Sequence, residues 1–108
     1  MANREDTQKQ IQNLETEITS AKSKVARLTQ KCKNLRKISL AENMKVADAL
    51  QKWHRGAINS KGLRQVQDKA MPHAQELGNA QFDIKFLEQQ IAKIEAEKKA
   101  LQEELKKL

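Results

Sequence analysis

The chain has 108 residues, of which 38% are hydrophobic, 32% are charged and only 3% are aromatic, and its formal net charge is +7. This composition fits a surface-rich helical rod better than a globular domain with a thick core. Three Gly, one Pro and no Tyr leave few residues suited to turns or strands. The positive charge suits either an acidic protein partner or a polyanion.

Several classes of protein are disfavoured at once. No apolar run approaches the roughly 20 residues that a membrane-spanning helix needs, and the N-terminal residues lack the apolar segment of a secretion signal. Cys32 is the only cysteine, so one chain can form neither an intrachain disulfide nor a zinc site of several thiolates. We therefore expect a soluble intracellular protein, in the cytoplasm or the nucleus, with no membrane insertion.

The first predicted element is a long helix over residues 1–55, because apolar residues recur every seven positions. The a positions of this heptad repeat are Ile11, Ile18, Val25 and Cys32, and the d positions are Leu14, Ala21, Leu28 and Leu35. The repeat passes a polar patch at Ser39 and Glu42 and recovers before Trp53. Cys32, at an a position, is predicted to be a small buried hydrophobic residue.

A turn is predicted over residues 56–62, which carry two of the three glycines together with Asn and Ser. Gly56 suits the left-handed residue that ends a helix, and Ser60 suits the cap of the helix that follows. The alternative is one continuous helix of about 100 residues in which each glycine costs about 1 kcal/mol relative to Ala.

The second predicted helix spans 63–108 and keeps a single heptad phase. Its a positions are Leu63, Ala70, Leu77, Ile84, Ile91, Lys98 and Leu105, and its d positions are Val66, His73, Ala80, Leu87, Ile94, Leu101 and Leu108. Pro72 cannot donate a backbone hydrogen bond, so the helix is expected to be kinked there or divided, with 63–71 as a separate short helix.

Charges beside the two seams favour an antiparallel coiled-coil hairpin, because they are mostly basic in the first helix and mostly acidic in the second. The expected register sets Trp53 against Val66 and Cys32 against Leu87. It pairs Lys22 with Glu95, Lys24 with Glu97, Lys31 with Asp83, Arg36 with Glu88 and Lys45 with Glu76, and it sets Lys98 against Ala21. The competing arrangement is a parallel homodimer, in which Cys32 would face its own copy.

Apolar residues outside the seams predict a partner interface in the half nearer the turn. They are Ile38, Leu40, Met44, Leu50, Met71, Phe82 and Phe86. We expect this half to pack against a second copy, giving a helical bundle, or against a different helical subunit. The alternative is that these are the scattered surface apolar residues common in soluble proteins.

A nucleic-acid-binding arm is the alternative function, because the run from Lys22 to Lys37 contains seven cations and no acid. The candidate contacts with a nucleic acid or an acidic partner lie in this run and around the turn: Arg27, Lys33, Lys37, Lys52, Arg55, Lys61 and Arg64. Many other cations of the run are expected to face the acidic second helix.

No catalytic, cofactor-binding or metal-binding residue is predicted. His54 and His73 are far apart in sequence and have no carboxylates at ligand spacing, and the sequence contains no glycine-rich phosphate loop or catalytic motif. The sequence predicts a non-enzymatic coiled-coil scaffold that assembles with protein partners, without cofactors or small-molecule substrates.

Overall fold

A computed structural model of the protein describes residues 3–108, which form an all-α helical hairpin. Helix α1 spans Arg4–His54 and helix α2 spans Ser60–Lys107, and no strand occurs between residues 3 and 108. The two helices run antiparallel, so the predicted hairpin is confirmed over both the continuous helix and the parallel homodimer as the fold of the chain.

Each helix begins at an asparagine cap. Asn3 Oδ1 accepts a hydrogen bond from the backbone N–H of Asp6 at 2.8 Å, and Asn59 Oδ1 accepts one from the N–H of Gly62 at 2.9 Å. These carbonyl oxygens satisfy backbone donors that have no partner in the first turn of a helix. The predicted cap at Ser60 is therefore wrong by one residue, and α2 begins three residues before position 63.

The turn occupies residues 55–59 and starts with a Schellman motif. Gly56 has a φ of 76°, which confirms the predicted left-handed conformation. Its N–H donates to the Trp53 carbonyl at 3.0 Å, and the N–H of Ala57 donates to the Lys52 carbonyl at 2.8 Å. Both bonds satisfy carbonyls at the end of α1 and reverse the chain within a few residues.

Replacing Gly56 by Ala should lower the free energy of unfolding by about 1 kcal/mol, because a Cβ is disfavoured at this positive φ. A Cβ there would meet nothing within 4 Å, so the cost is conformational and not steric. Gly78 provides the matched control, since it lies inside α2 and has equally open surroundings. Gly78→Ala should instead raise the stability by about 1 kcal/mol. Urea unfolding of both variants measures the opposite signs; equal signs would contradict the turn geometry.

Pro72 does not divide α2, because the helix is continuous from Ser60 to Lys107. The alternative of a separate short helix over 63–71 is therefore wrong. The missing proline N–H removes one backbone hydrogen bond in the helix interior. Packing of the surrounding α2 residues against α1 therefore has to offset that loss.

Contacts within the hairpin divide it into two units. The base unit comprises the residues up to Leu28 together with Asp83–Leu108, and the tip unit comprises Thr29–Phe82 with the turn. The buried residues of the base unit are Thr7, Ile11 and Ile18, and those of the tip unit are Cys32, Leu35, Ala49, Leu63 and Ala80. Cys32 is 2% exposed, which confirms its predicted burial. Each of these residues, including Thr7 one heptad before Leu14, occupies an a or d position of its helix.

The register of the tip unit differs from the predicted one by about one heptad. The indole Nε1 of Trp53 donates to Ser60 Oγ at 3.2 Å, so Trp53 lies beside the start of α2 and not opposite Val66. Lys31 forms an ion pair with Glu76 at 3.0 Å, a residue one heptad before the expected Asp83. From these contacts we infer that Cys32 lies opposite Ala80, and both side chains are almost fully buried.

The base unit shows a shift in the same direction. Lys98, expected opposite Ala21, pairs through its Nζ with Glu15 Oε1 at 3.3 Å. Leu108, expected against the buried Ile11, is 59% exposed. One expected pair, between Lys22 and Glu95, is present at 3.5 Å because the long lysine side chain reaches along the helix.

The short turn causes this difference in register. The predicted pairing of Trp53 with Val66 required a connection longer than residues 55–59. The Schellman motif and the Asn59 cap fix the ends of the two helices, so the connection cannot be longer. Exposed ion pairs are each worth only about 0.2 to 1 kcal/mol, so they do not overcome the geometry of two helix caps. The turn determines the register, and the flanking charges form whatever ion pairs that register allows.

Candidate functional site

The predicted interface residues are all exposed and occupy several heptad positions of the two helices. More than one third of the surface of each residue is exposed; the residues are Ile38, Leu40, Met44, Leu50, Met71, Phe82 and Phe86. By heptad position, Leu40 and Met44 lie one turn apart on the outer side of α1, whereas Ile38 and Leu50 flank opposite sides of its seam. Phe86 belongs to the base unit and the other six belong to the tip unit.

Met71 lines an open groove of about 440 Å³ in the tip unit. We call it the tip groove; its lining consists of Ser39, Asn43, Val46, Gln67, Ala70, Met71, Ala74 and Leu77. None of these side chains is charged, and the small Ala70 and Ala74 leave the space open. The Oγ of Ser39 is buried there without a hydrogen-bond partner. The groove surface is therefore uncharged and mainly apolar.

A polar layer interrupts the seam in the tip unit. His73 Nδ1 and Glu42 Oε1 are 2.7 Å apart, and the second carboxylate oxygen of Glu42 is buried without a hydrogen-bond partner. His73 lies on the seam as predicted, and its partner is a carboxylate of α1 rather than an apolar side chain. A part-buried polar pair of this kind contributes little net stability but penalises other helix registers.

The predicted basic contacts are exposed side chains, and they fall into separate places. Lys33 and Lys37 lie one turn apart on α1 of the tip unit, whereas Arg27 belongs to the base unit. At the turn, Lys52 pairs with Asp48 at 3.0 Å, and Arg55 donates from Nε to the Gln51 carbonyl at 3.4 Å. Lys61 and Arg64 complete the set on the exposed first turns of α2. They do not form a single basic face.

Correction of the register leaves more cations unpaired than the sequence suggested. Among the described residues, Lys24 and Arg36 form no ion pair, although pairing with Glu97 and Glu88 was expected. Lys45 likewise lacks the expected Glu76, which pairs with Lys31. Arg27, Lys33 and Lys37 also make no ion pair within this part of the chain. Positive charge is thus available along α1 for a partner.

The base unit contains a longer groove that the sequence did not reveal. Two open spaces, of about 530 and 630 Å³, adjoin each other at Lys24 and Leu87, and we call them together the base groove. Its floor contains Ala21, Leu28, Leu87 and Ile94, and its rim carries Lys24, Arg27 and Phe86. The only sequence signal was Ala21, a small residue at a d position among large ones.

Neither groove has the features of a metal site or a membrane segment. Within residues 3–108, no three His, Cys, Asp or Glu side chains come close enough to hold a metal ion. Neither described helix contains a stretch long and apolar enough to cross a bilayer. Comparison of the chain with protein-family models, with curated proteins and with solved structures finds no match. The geometry of the hairpin is therefore the basis for a functional proposal.

Proposed function

We propose that the protein is a non-enzymatic, intracellular coiled-coil subunit that assembles with other helical chains. The observation that carries the proposal is that each unit has an apolar-floored groove running between α1 and α2. An elongated groove between two helices accepts the side-chain ridge of a third helix, as in helical bundles. The exposed apolar residues beside the grooves add contact area for such a partner.

Energetics favour an apolar partner ridge in the tip groove. Burial of apolar surface contributes about 25 cal/mol per Å², and an uncharged groove requires no desolvation of ions. The tip groove is thus suited to a helical protein surface and poorly suited to a phosphate backbone.

A nucleic-acid-binding arm is the second candidate, supported by the unpaired cations of α1. In the tip unit, Lys33 and Lys37 are exposed and carry no ion pair among the described residues. Phosphate binding through such cations weakens steeply as salt rises, whereas association through an apolar groove persists. Salt dependence therefore distinguishes the two functions.

Ala74→Arg should block the tip groove and abolish assembly, because a long charged side chain would fill the apolar space. Gln75→Arg is the matched control: it adds the same side chain to the next position of α2, which does not line the groove. Crosslinking mass spectrometry on the full chain, in nuclease-treated extract at high salt, measures partners crosslinked beside the tip groove. We expect a helical partner, or a second copy, that the control retains and Ala74→Arg loses.

Two outcomes would contradict the proposal. One is that crosslinks beside the tip groove are the same in Ala74→Arg and Gln75→Arg. The other is that all association disappears with nuclease or high salt and depends on Lys33 and Lys37, which would favour the nucleic-acid arm. Circular dichroism of both variants should show intact helices, because Ala74 is exposed and its substitution by Arg does not disturb the seam.

A further inference from the structure

The base groove has an apolar floor that the hairpin leaves incompletely covered. Ala21, Leu28, Leu87 and Ile94 are seam residues, yet all four remain only half-buried. The small Ala21 leaves space that a leucine would fill. Ile11 and Ile18, at a positions of α1 in the same unit, are buried. The four floor residues all occupy d positions, so the seam of the base unit stays open on the side of its d residues.

Phe86 supplies an aromatic knob on the wall of this groove. Its side chain is 52% exposed and lies beside Leu28 and Leu87 in the groove lining. An aromatic residue inserted into an apolar pocket of a partner is a frequent anchor of protein interfaces. The groove therefore presents both a knob and a hole on one surface, and such a surface can pair with itself.

The rim of the base groove has balanced charge. The lining contains three cations, Lys24, Arg27 and Lys93, and three carboxylates, Glu17, Asp83 and Glu97. None of these six side chains forms an ion pair with another described residue. A polyanion would meet the three carboxylates, and a strongly acidic helix would be repelled by them. A balanced rim fits a surface of the same composition.

A twofold axis parallel to the helices of the base unit pairs four of these six charges. Such an axis sets α1 of one copy against α2 of the other while each residue keeps its level along the groove. Arg27 of one copy then faces Asp83 of the second copy, because both line the same end of the groove. At the other end, Glu17 faces Lys93 of the second copy. Every such contact occurs twice and joins opposite charges.

We propose that the base groove is the interface of a twofold homodimer, in which each copy inserts Phe86 into the groove of the other. The partner is thus a second copy of this chain, held by Phe86 on the apolar floor and by reciprocal pairs between Arg27 and Asp83. This inference rests on the assembly function proposed above but concerns a different surface. The tip groove remains free for another helical chain.

Mixing two charge-reversal variants tests the dimer. In Arg27→Glu, the new carboxylate faces Asp83 of the second copy, and in Asp83→Arg the new cation faces Arg27. Each variant alone should dimerise roughly a hundredfold more weakly, because like charges meet twice across the interface. An equimolar mixture should recover dimers, since Glu at 27 then faces Arg at 83 and Arg27 faces Asp83. Sedimentation velocity should give about twice the 12.4 kDa chain mass for the original chain and for the mixture.

Lys33→Glu is the matched control, because it reverses a charge on α1 outside the groove and should leave the mass unchanged. Circular dichroism of each variant excludes loss of the helices. The dimer proposal is overturned if the unmodified chain sediments as one copy at every concentration, or if the mixture remains monomeric. It is also overturned if both variants dimerise as tightly as the unmodified chain. A tip-groove partner that Ala74→Arg still loses would then leave the assembly function intact.

Discussion

An oxidised Ala80→Cys variant should contain an intrachain disulfide between positions 32 and 80. The register inferred from the Trp53–Ser60 and Lys31–Glu76 contacts sets Cys32 opposite Ala80, and these two residues are 2% and 3% exposed. The crosslink would close a long loop through the turn, which constrains the unfolded chain and should raise the free energy of unfolding by about 4 kcal/mol. Non-reducing mass spectrometry identifies the bond, and urea unfolding with and without reductant measures its effect.

Leu87→Cys is the control for this disulfide, because the register predicted from sequence sets Leu87 opposite Cys32. No intrachain disulfide should form in that variant under the same oxidation. A crosslink from Cys32 to position 87, with none to position 80, would mean that the hairpin is paired one heptad away from the structure.

Leu35→Ala should lower the free energy of unfolding by about 3 kcal/mol, because it removes a buried side chain and leaves a cavity in the seam. Leu35 is 6% exposed in the tip unit. Leu40→Ala is the matched control, since it makes the same change on the same helix at a residue that is 65% exposed. Its effect should stay within about 0.5 kcal/mol. Equal losses in the two variants, measured by urea unfolding, would contradict the assignment of seam and surface.

The helices and their antiparallel pairing could be predicted because local patterns specify them. The heptads from Ile11 to Leu35 and from Leu63 to Leu108 define two apolar seams. Gly56 marks the point where the first helix ends. These signals depend on residue type and spacing alone, so a single sequence is enough to read them.

The register could not be predicted because a heptad repeat matches itself after a slip of seven residues. Cys32 meets an apolar side chain whether Ala80 or Leu87 is opposite. The flanking charges do not distinguish the two registers, because Lys31 lies near a carboxylate in both: Asp83 in the predicted register and Glu76 in the structure. The deciding feature was the cap at Asn59, one residue away from the predicted cap at Ser60.

The grooves were missed for the same reason. Exposed residues such as Leu40, Met44 and Phe82 could be recognised because they lie off the seams. The base groove depends on which α2 residues lie beside Ala21 and Lys24, and this depends on the register. The sequence alone therefore did not indicate that Glu17 and Lys93 line the base groove.

The register is the central claim, since it determines which charges remain unpaired and where the grooves open. The most direct test is a nuclear Overhauser spectrum of the unmodified chain, because Trp53 is its only tryptophan and its indole N–H gives one resolved signal. We predict cross-peaks from this N–H to the side-chain protons of Ser60, whose Oγ lies 3.2 Å from Nε1. Cross-peaks to the methyl groups of Val66, with none to Ser60, would contradict the observed hairpin.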